Sequence, residues 1–184
     1  MALLTLAEAK TQLQLTDTAA YDAELETYID ALTPVIERHT GPVESRTVTE
    51  TVNAYGPLLA LTQVPTVSLT SLTPVHSGGR AIAADEVALD GDAGVLRRLD
   101  GARFAGGPWV AVYVAGRDDI PPTINLAARL LLQHLWRTRY GAARGNPGGG
   151  EDFDVNEPIP GFGYAVPNRV LQLLESFKAP PGVA

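Results

Sequence analysis

The chain has 184 residues, no cysteine, and 21 acidic against 14 basic side chains, a formal net charge of −7. That length suits one domain with room for an appendage, and the missing cysteines exclude disulfides, thiol nucleophiles and thiolate metal sites. An acidic surface repels DNA over most of its area, which argues against general nucleic-acid binding.

The N-terminal MALLTLAEAK has no basic leader and no long apolar core, so no signal peptide is expected. Thr5-Leu6-Ala7-Glu8 has the spacing of a capping box, with Thr5 as N-cap and Glu8 reaching back to its amide. Leu6, Ala9 and Leu13 then share a face, giving a first helix over residues 5–15. A second helix over 20–40 carries Leu25, Ile29, Leu32 and Ile36 at steps of four and three. Gly41 and Pro42 end it, the first free to turn left-handed and the second unable to continue a helix. Pro34 removes one hydrogen bond inside that helix, which predicts a kink near Asp30.

From 43 to 115 the texture changes to valine, threonine and short alternating runs. Strands are predicted at Thr47 to Tyr55, Thr66 to Val75, Glu86 to Asp90, Gly94 to Leu99 and Trp109 to Ala115. No helical pattern separates them, so they predict a small antiparallel sheet rather than a βαβ array. Pro121 and Pro122 open a third helix over 121–140, where a missing amide costs nothing. Ile124, Ala127, Ala128, Leu131 and Leu135 form its stripe, widened by Leu130 and Leu132, as in a helix buried by several neighbours. Its most apolar run, Leu126 to Trp136, is interrupted by Arg129, Gln133 and His134 and is too short and polar for a membrane span.

Residues 145–167 hold six Gly, four Pro and four acidic residues with no Lys or Arg. Such a composition predicts a mobile loop, although Phe153, Ile159, Phe162 and Tyr164 lie within it. Pro167 then starts a terminal helix with Val170, Leu171, Leu174 and Phe177 on one face. The fold class is therefore α+β and mainly helical: three helices plus a C-terminal helix, with an inserted small antiparallel β region. In domain terms, 1–141 is the core, 142–166 a flexible acidic loop rich in Gly and Pro, and 167–184 a C-terminal helix and tail.

Chemistry is hard to find in this sequence. His39, His76 and His134 have no ligand-spaced companions, and neither a nucleophile elbow, an HExxH nor a Walker-type loop is present. Asp90-Gly91-Asp92-Ala93-Gly94 lacks the third ligand and closing Glu of a calcium loop and reads as a hairpin turn. Asp118 and Asp119 are placed to cap the third helix. No catalytic residue, cofactor site or metal site is assigned. Arg137, Arg139 and Arg144, with Trp136 and Tyr140 interleaved, offer either a nucleic-acid contact or a dipole-compensating helix end that pairs with another subunit. The net charge favours the second, which makes Trp136, Arg137, Arg139 and Tyr140 the candidate subunit interface.

Several segments, taken in order, resemble the head–tail connector (adaptor) proteins of long-tailed bacteriophages. They are LAEAKTQLQL, DAELETYIDAL, the ERHTG that closes the second helix, VPTVSLTSLTPV, VYVAG followed by IPP, and LLLQHLWRTRYG, with a weaker match at GYAVPNRVLQLLE. Pro34 departs from that family's uninterrupted second helix. The resemblance implies a virion structural protein of the neck, made in the host cytoplasm, with no turnover chemistry. It further implies a ring, commonly a dodecamer, between portal and stopper or tail-completion proteins, through which DNA passes without sequence-specific binding. C-terminal segments of the family commonly dock to portal. That makes Phe153, Phe162, Tyr164, Val170, Leu171, Leu174 and Phe177 candidates for contacting portal or a neighbouring copy. The alternatives are another neck or tail-completion protein, or a small cellular enzyme or ligand-binding domain.

Overall fold

The computed structural model describes residues 3–15, 18–105, 107–140 and 166–178. The fold is α+β, with strands weighing more heavily than a mainly helical chain would suggest. Contacts divide it into a helical unit, Ala2–Val35 with Pro121–Ser176, and a strand unit, Ile36–Ile120 with Phe177–Ala184.

In the helical unit, α1 (Leu6–Leu13) opens on the expected capping box. Thr5 Oγ1 accepts from the Glu8 amide at 3.3 Å, and Glu8 Oε2 accepts from the Thr5 amide at 2.9 Å. The helix stops two residues before Leu15 because Gln14 turns left-handed, φ 58°, its amide satisfying carbonyls of the last turn. Next, α2 (Asp22–Thr40) runs unbroken past the exposed Pro34 and so crosses from one unit into the other.

Ahead of α3 (Pro122–Tyr140), Pro121 supplies the carbonyl that accepts from Ile124 and Asn125. Asp118 and Asp119 stay exposed upstream and do not reach the helix start, since the double proline itself fills the positions they were expected to cap. Ile124, Ala127, Ala128, Leu131 and Leu132 of α3 are buried, while Leu130 and Leu135 are half-buried. Two neighbours explain that width: α1 and α4 (Asn168–Leu174) both pack on α3. Polar ties join segments far apart in sequence. Arg129 pairs with Glu8 and donates to Asn125, whose side-chain amide donates to the Leu3 carbonyl at 3.0 Å. Lys10 pairs with Asp22 at 2.7 Å.

The strand unit contains two antiparallel sheets rather than one. In the first, β1 (Arg46–Val52) and β4 (Thr66–Pro74) flank β7 (Trp109–Ala115). In the second the order is β2 (Ala54–Tyr55), β3 (Leu58–Ala60), β6 (Val95–Arg98) and β5 (Val87–Asp90). The single run expected over Thr47 to Tyr55 splits at Asn53. Val52 pairs with Trp109 in one sheet, whereas Ala54 pairs with Leu59 in the other. A three-residue strand such as β3 gives almost no alternation to read, which hid it in the sequence.

One core serves both sheets: Val52, Leu59, Leu72, Leu96, Ala111, Tyr113 and Ala115 belong to a single buried cluster. Strand β7 alternates strictly, with Trp109, Ala111, Tyr113 and Ala115 buried and the three valines between them half-buried. The Asp90–Gly94 segment is the β5–β6 turn, where Asp90 Oδ1 accepts from the Ala93 amide at 3.2 Å and Gly94 has φ +64°. Gly41, φ +69°, ends α2 as expected, and a Cβ there would lie 1.7 Å from the Val64 carbonyl oxygen.

Candidate interaction surface

The end of α3 gathers the described aromatic residues of the helical unit. Trp136 and Tyr140, one turn apart, have ring centroids 4.4 Å apart, and Tyr21 meets them edge-on at 5.3 and 5.7 Å. Tyr28 adds a fourth ring 6.2 Å from Trp136. These rings come from α3 and from α2 with the residue just ahead of it, so the cluster helps fix how α2 and α3 lie along each other up to Val35.

Glu24 sits at the centre of the charge pattern. Its Oε2 accepts from the Tyr140 hydroxyl at 2.7 Å, a bond that pushes the phenol above its ordinary pKa. Its Oε1 lies 2.7 Å from Arg139 Nη1, an ion pair without the alignment of a hydrogen bond. The Arg139 guanidinium also lies over the Tyr140 ring, 5.3 Å from its centroid. Arg137 and Arg139 are exposed, whereas Trp136 and Tyr140 are half-buried.

Three of the four interface candidates therefore also stabilise their own unit, and Arg137 alone among them has no such tie in the geometry above. Sequence reading found this helix end but not Glu24, Tyr21 or Tyr28. The signal was present: Tyr21, Glu24 and Tyr28 recur at three and four residues, which puts them on one face of α2.

At the other end of the chain, Phe153, Phe162 and Tyr164 lie outside the described residues, as does Arg144. Val170 and Leu174 are each 1 % exposed, both inside the helical unit where α4 packs on α3. In this structure their surface is already consumed, because α3 offers an apolar stripe wide enough to take α4 as well as α1. Leu171 and Phe177 are half-buried. Phe177 is held in the strand unit, where the Arg117 guanidinium lies 5.7 Å from its ring centroid. That arginine also donates to the carbonyls of Thr40 and Pro42 at 3.1 and 3.0 Å, closing the C-terminal end of α2, and burial lowers its pKa.

A second polar centre escaped the sequence reading altogether. Tyr113, fully buried in β7, donates to Glu50 Oε1 at 2.8 Å and accepts from the Gln63 amide at 3.1 Å. Glu50 also accepts from the Thr62 amide at 2.9 Å and from the Thr62 hydroxyl. The network pins the loop after β3 to the first sheet and satisfies every partner it buries. Burial and the Glu50 carboxylate push the Tyr113 phenol up to about 12. A phenol so strongly disfavoured as an anion is a structural group, not a base.

Among the described residues no group of three or more His, Asp or Glu side chains is placed to hold a metal ion. Nor is any described helix long and apolar enough to cross a membrane. The features that stand out are packed aromatics, charged helix ends and sheet faces, which are the means by which structural proteins meet other proteins.

The comparisons with known proteins point to the same class, a structural protein of a phage-type virion. A family model for head completion proteins matches residues 2–179. The chain belongs to the head completion protein family, and with it to the virion's structural components rather than to its enzymes. The fold is similar to that of a solved neck of an empty gene transfer agent particle with C6 symmetry. The TM-score is 0.64 at 22% identity, over 99% of this chain and 92% of that one. It is also similar to a neck of the native particle with C12 symmetry, TM-score 0.61 at 22% identity, over 97% of this chain and 90% of that one. A chain of the native gene transfer agent virion gives 0.59 at 20% identity, with 99% and 92% covered. No curated protein matches by sequence.

Proposed function

We propose that this chain is the head–tail adaptor of its particle: a ring of identical copies that docks under the portal and carries the stopper or tail-completion proteins below. The observation that carries the reading is a likeness running over nearly the whole chain to subunits of particle necks with six- and twelvefold symmetry, joined to membership of the head completion family. A subunit of a cyclic ring uses two different faces, one meeting the opposite face of the next copy. The exposed Arg137 and Arg139 at the end of α3 suit such a boundary, since a planar guanidinium fork pairs well across interfaces. Leu171, Phe177 and the aromatics Phe153, Phe162 and Tyr164 remain the proposed portal-docking or neighbour-docking group. In this reading a net charge of −7 has a use, because an acidic channel wall does not hold DNA during its passage.

The test is to mix the purified chain with its portal and measure mass. A complex holding one closed ring per portal is the expected outcome. Absence of any higher-mass species across salt conditions would remove the adaptor assignment while leaving the family intact.

A further inference from the structure

The two most exposed large hydrophobic side chains among the described residues, Leu99 at 66 % and Tyr55 at 64 %, lie on one face of the second sheet. Tyr55 is in register with Leu58, and Leu58 with Arg97, so Tyr55 and Arg97 share a row two strands apart, about 10 Å at ordinary strand spacing. Leu99 is two residues beyond Arg97 and therefore on the same side. Its amide continues the ladder by donating to the Glu86 carbonyl at 3.0 Å. Arg103 is brought to the same corner because the Phe104 amide donates to the Gly56 carbonyl at 3.0 Å, beside Tyr55. Arg97 and Arg103 are exposed, and neither has an ion pair or hydrogen bond among the described residues. In contrast, Arg98, on the other side of β6, is paired with Asp100.

An exposed tyrosine and leucine between two unpaired arginines has the composition of a protein-binding hot spot rather than of a solvated sheet face. The chain also carries a surface of the opposite kind. Along α2, Glu26 and Asp30 are exposed one turn apart, with no ion pair or hydrogen bond among the described residues. Beside them run Ala23, Thr27 and Ala31, small and exposed, with the Thr27 hydroxyl already donating to the Ala23 carbonyl at 2.9 Å. A low, acidic helix face can receive projecting Tyr and Leu side chains while its two carboxylates meet the two guanidinium groups.

We propose that the Tyr55–Arg97–Leu99–Arg103 face of one copy docks on the Glu26–Asp30 face of α2 in the next copy. The contact is heterologous, as a ring requires, and it rests on the adaptor reading above. Nucleic acid is the other chemistry that two free arginines and a tyrosine could serve. The matched acidic face on the same chain, and the exposed Leu99, favour a second copy instead.

Charge exchange tests the pairing, read by sedimentation velocity over a concentration series with a folding check by circular dichroism. Arg97→Glu with Arg103→Glu should weaken self-association by at least about tenfold, and Glu26→Arg with Asp30→Arg should do the same. All four changes together should restore it to near the unsubstituted level, a recovery that no loss of folding can imitate. Association that neither double variant weakens would overturn this contact alone, as would a fourfold variant that fails to recover. Should the unsubstituted chain stay monomeric at every concentration and on portal, the ring reading falls and takes the contact with it. If the arginine variant loses only retention of a duplex DNA probe, the occupant is nucleic acid and the proposal is wrong.

Discussion

The strand unit is drawn almost entirely from one stretch, Ile36–Ile120, whereas the helical unit joins Ala2–Val35 to Pro121–Ser176 across everything in between. The two are held together differently as a result. In the strand unit, two antiparallel sheets share one buried cluster, with a polar network at Tyr113. In the helical unit, polar ties span the sequence: Glu8 to Arg129, Leu3 to Asn125, Glu24 to Arg139 and to Tyr140. A unit made of distant segments must offset a larger loop-closure entropy, and each of these ties sits where two such segments meet. Continuity in sequence makes the first unit self-contained; its lack makes the second dependent on α4, which packs on α3.

The strongest way to break that dependence is to end the chain after Gly145. This removes α4, so the surface of α3 that covers Val170 and Leu174 is opened to water. Burying two such side chains is worth roughly 3–6 kcal/mol by transfer alone, a large part of the stability of a unit this size. The helical unit should lose cooperative melting, while amide protection in β1, β4 and β7 persists. Unchanged melting with loss of portal binding would instead make the C-terminal segment a pure docking arm. Either result sharpens the contrast between the two units.

Within the strand unit the corresponding probe is Tyr113→Phe. The change leaves the ring but deletes the hydroxyl shared by Glu50 and Gln63, and should cost about 1–3 kcal/mol in chemical denaturation. It also has a pH signature. The phenol titrates near 10 when unfolded and is pushed up to about 12 when folded, so the folded chain holds this proton more tightly. Its contribution is fully present below pH 10 and is lost as pH rises from 10 through 12. The phenylalanine variant should lack that alkaline component, and denaturation curves at pH 8 and pH 11 would reveal the difference. An identical pH dependence in both proteins would assign the alkaline loss to other groups.

A smaller effect belongs to Glu8, whose pKa is lowered first by its bonds to Thr5 and then by Arg129. A lowered carboxylate pKa contributes stability above the unfolded value of 4.5, and that stability disappears as pH falls through the folded value. Glu8→Gln keeps an acceptor for the Thr5 amide but loses the ion pair with Arg129, so it should cost about 0.5–1 kcal/mol at neutral pH and flatten the acid limb of the stability profile. The loss should appear in the helical unit only.

How much of this could be read from the sequence follows the distance between partners rather than the division into units. Strand β7 was legible residue for residue, because it is a short apolar run rich in valine and aromatics whose bounds are set by Pro108 and Gly116. The capping box at Thr5 and the Gly41-Pro42 stop were legible because their physics is local. By contrast, the split at Asn53, the strand at Leu58–Ala60 and the Tyr113–Glu50 bond depend on partners up to 63 residues away. Glu50 in particular shares the inward parity of Val48 and Val52, but nothing local says that its carboxylate meets a phenol there. At the candidate interface, α3 announced its aromatic and basic end, but Glu24, which anchors it, lies 116 residues from Tyr140. No local pattern can report such a pair.

The smallest effect on folding, and the most specific for the neck, belongs to Arg137 and Arg139. Both are exposed; Arg139 has one surface ion pair with Glu24, and surface pairs of this kind contribute little to stability. Reversing both to glutamate sets a second carboxylate beside Glu24 and gives up the Arg139–Tyr140 contact, a cost of roughly 0.5 kcal/mol, while Trp136, Tyr21 and Tyr28 keep their ring contacts and the unit stays folded. If the helix end is a subunit boundary, two reversed charges now face the partner's carboxylates, and like charges brought together at an interface are strongly unfavourable. Assembly on portal should fail although the monomer remains folded. Normal particle yield from this double variant would take the α3 end out of the interface. The boundary proposed between the sheet face at Tyr55 and Leu99 and the Glu26–Asp30 face of α2 in the next copy would then stand as the remaining candidate.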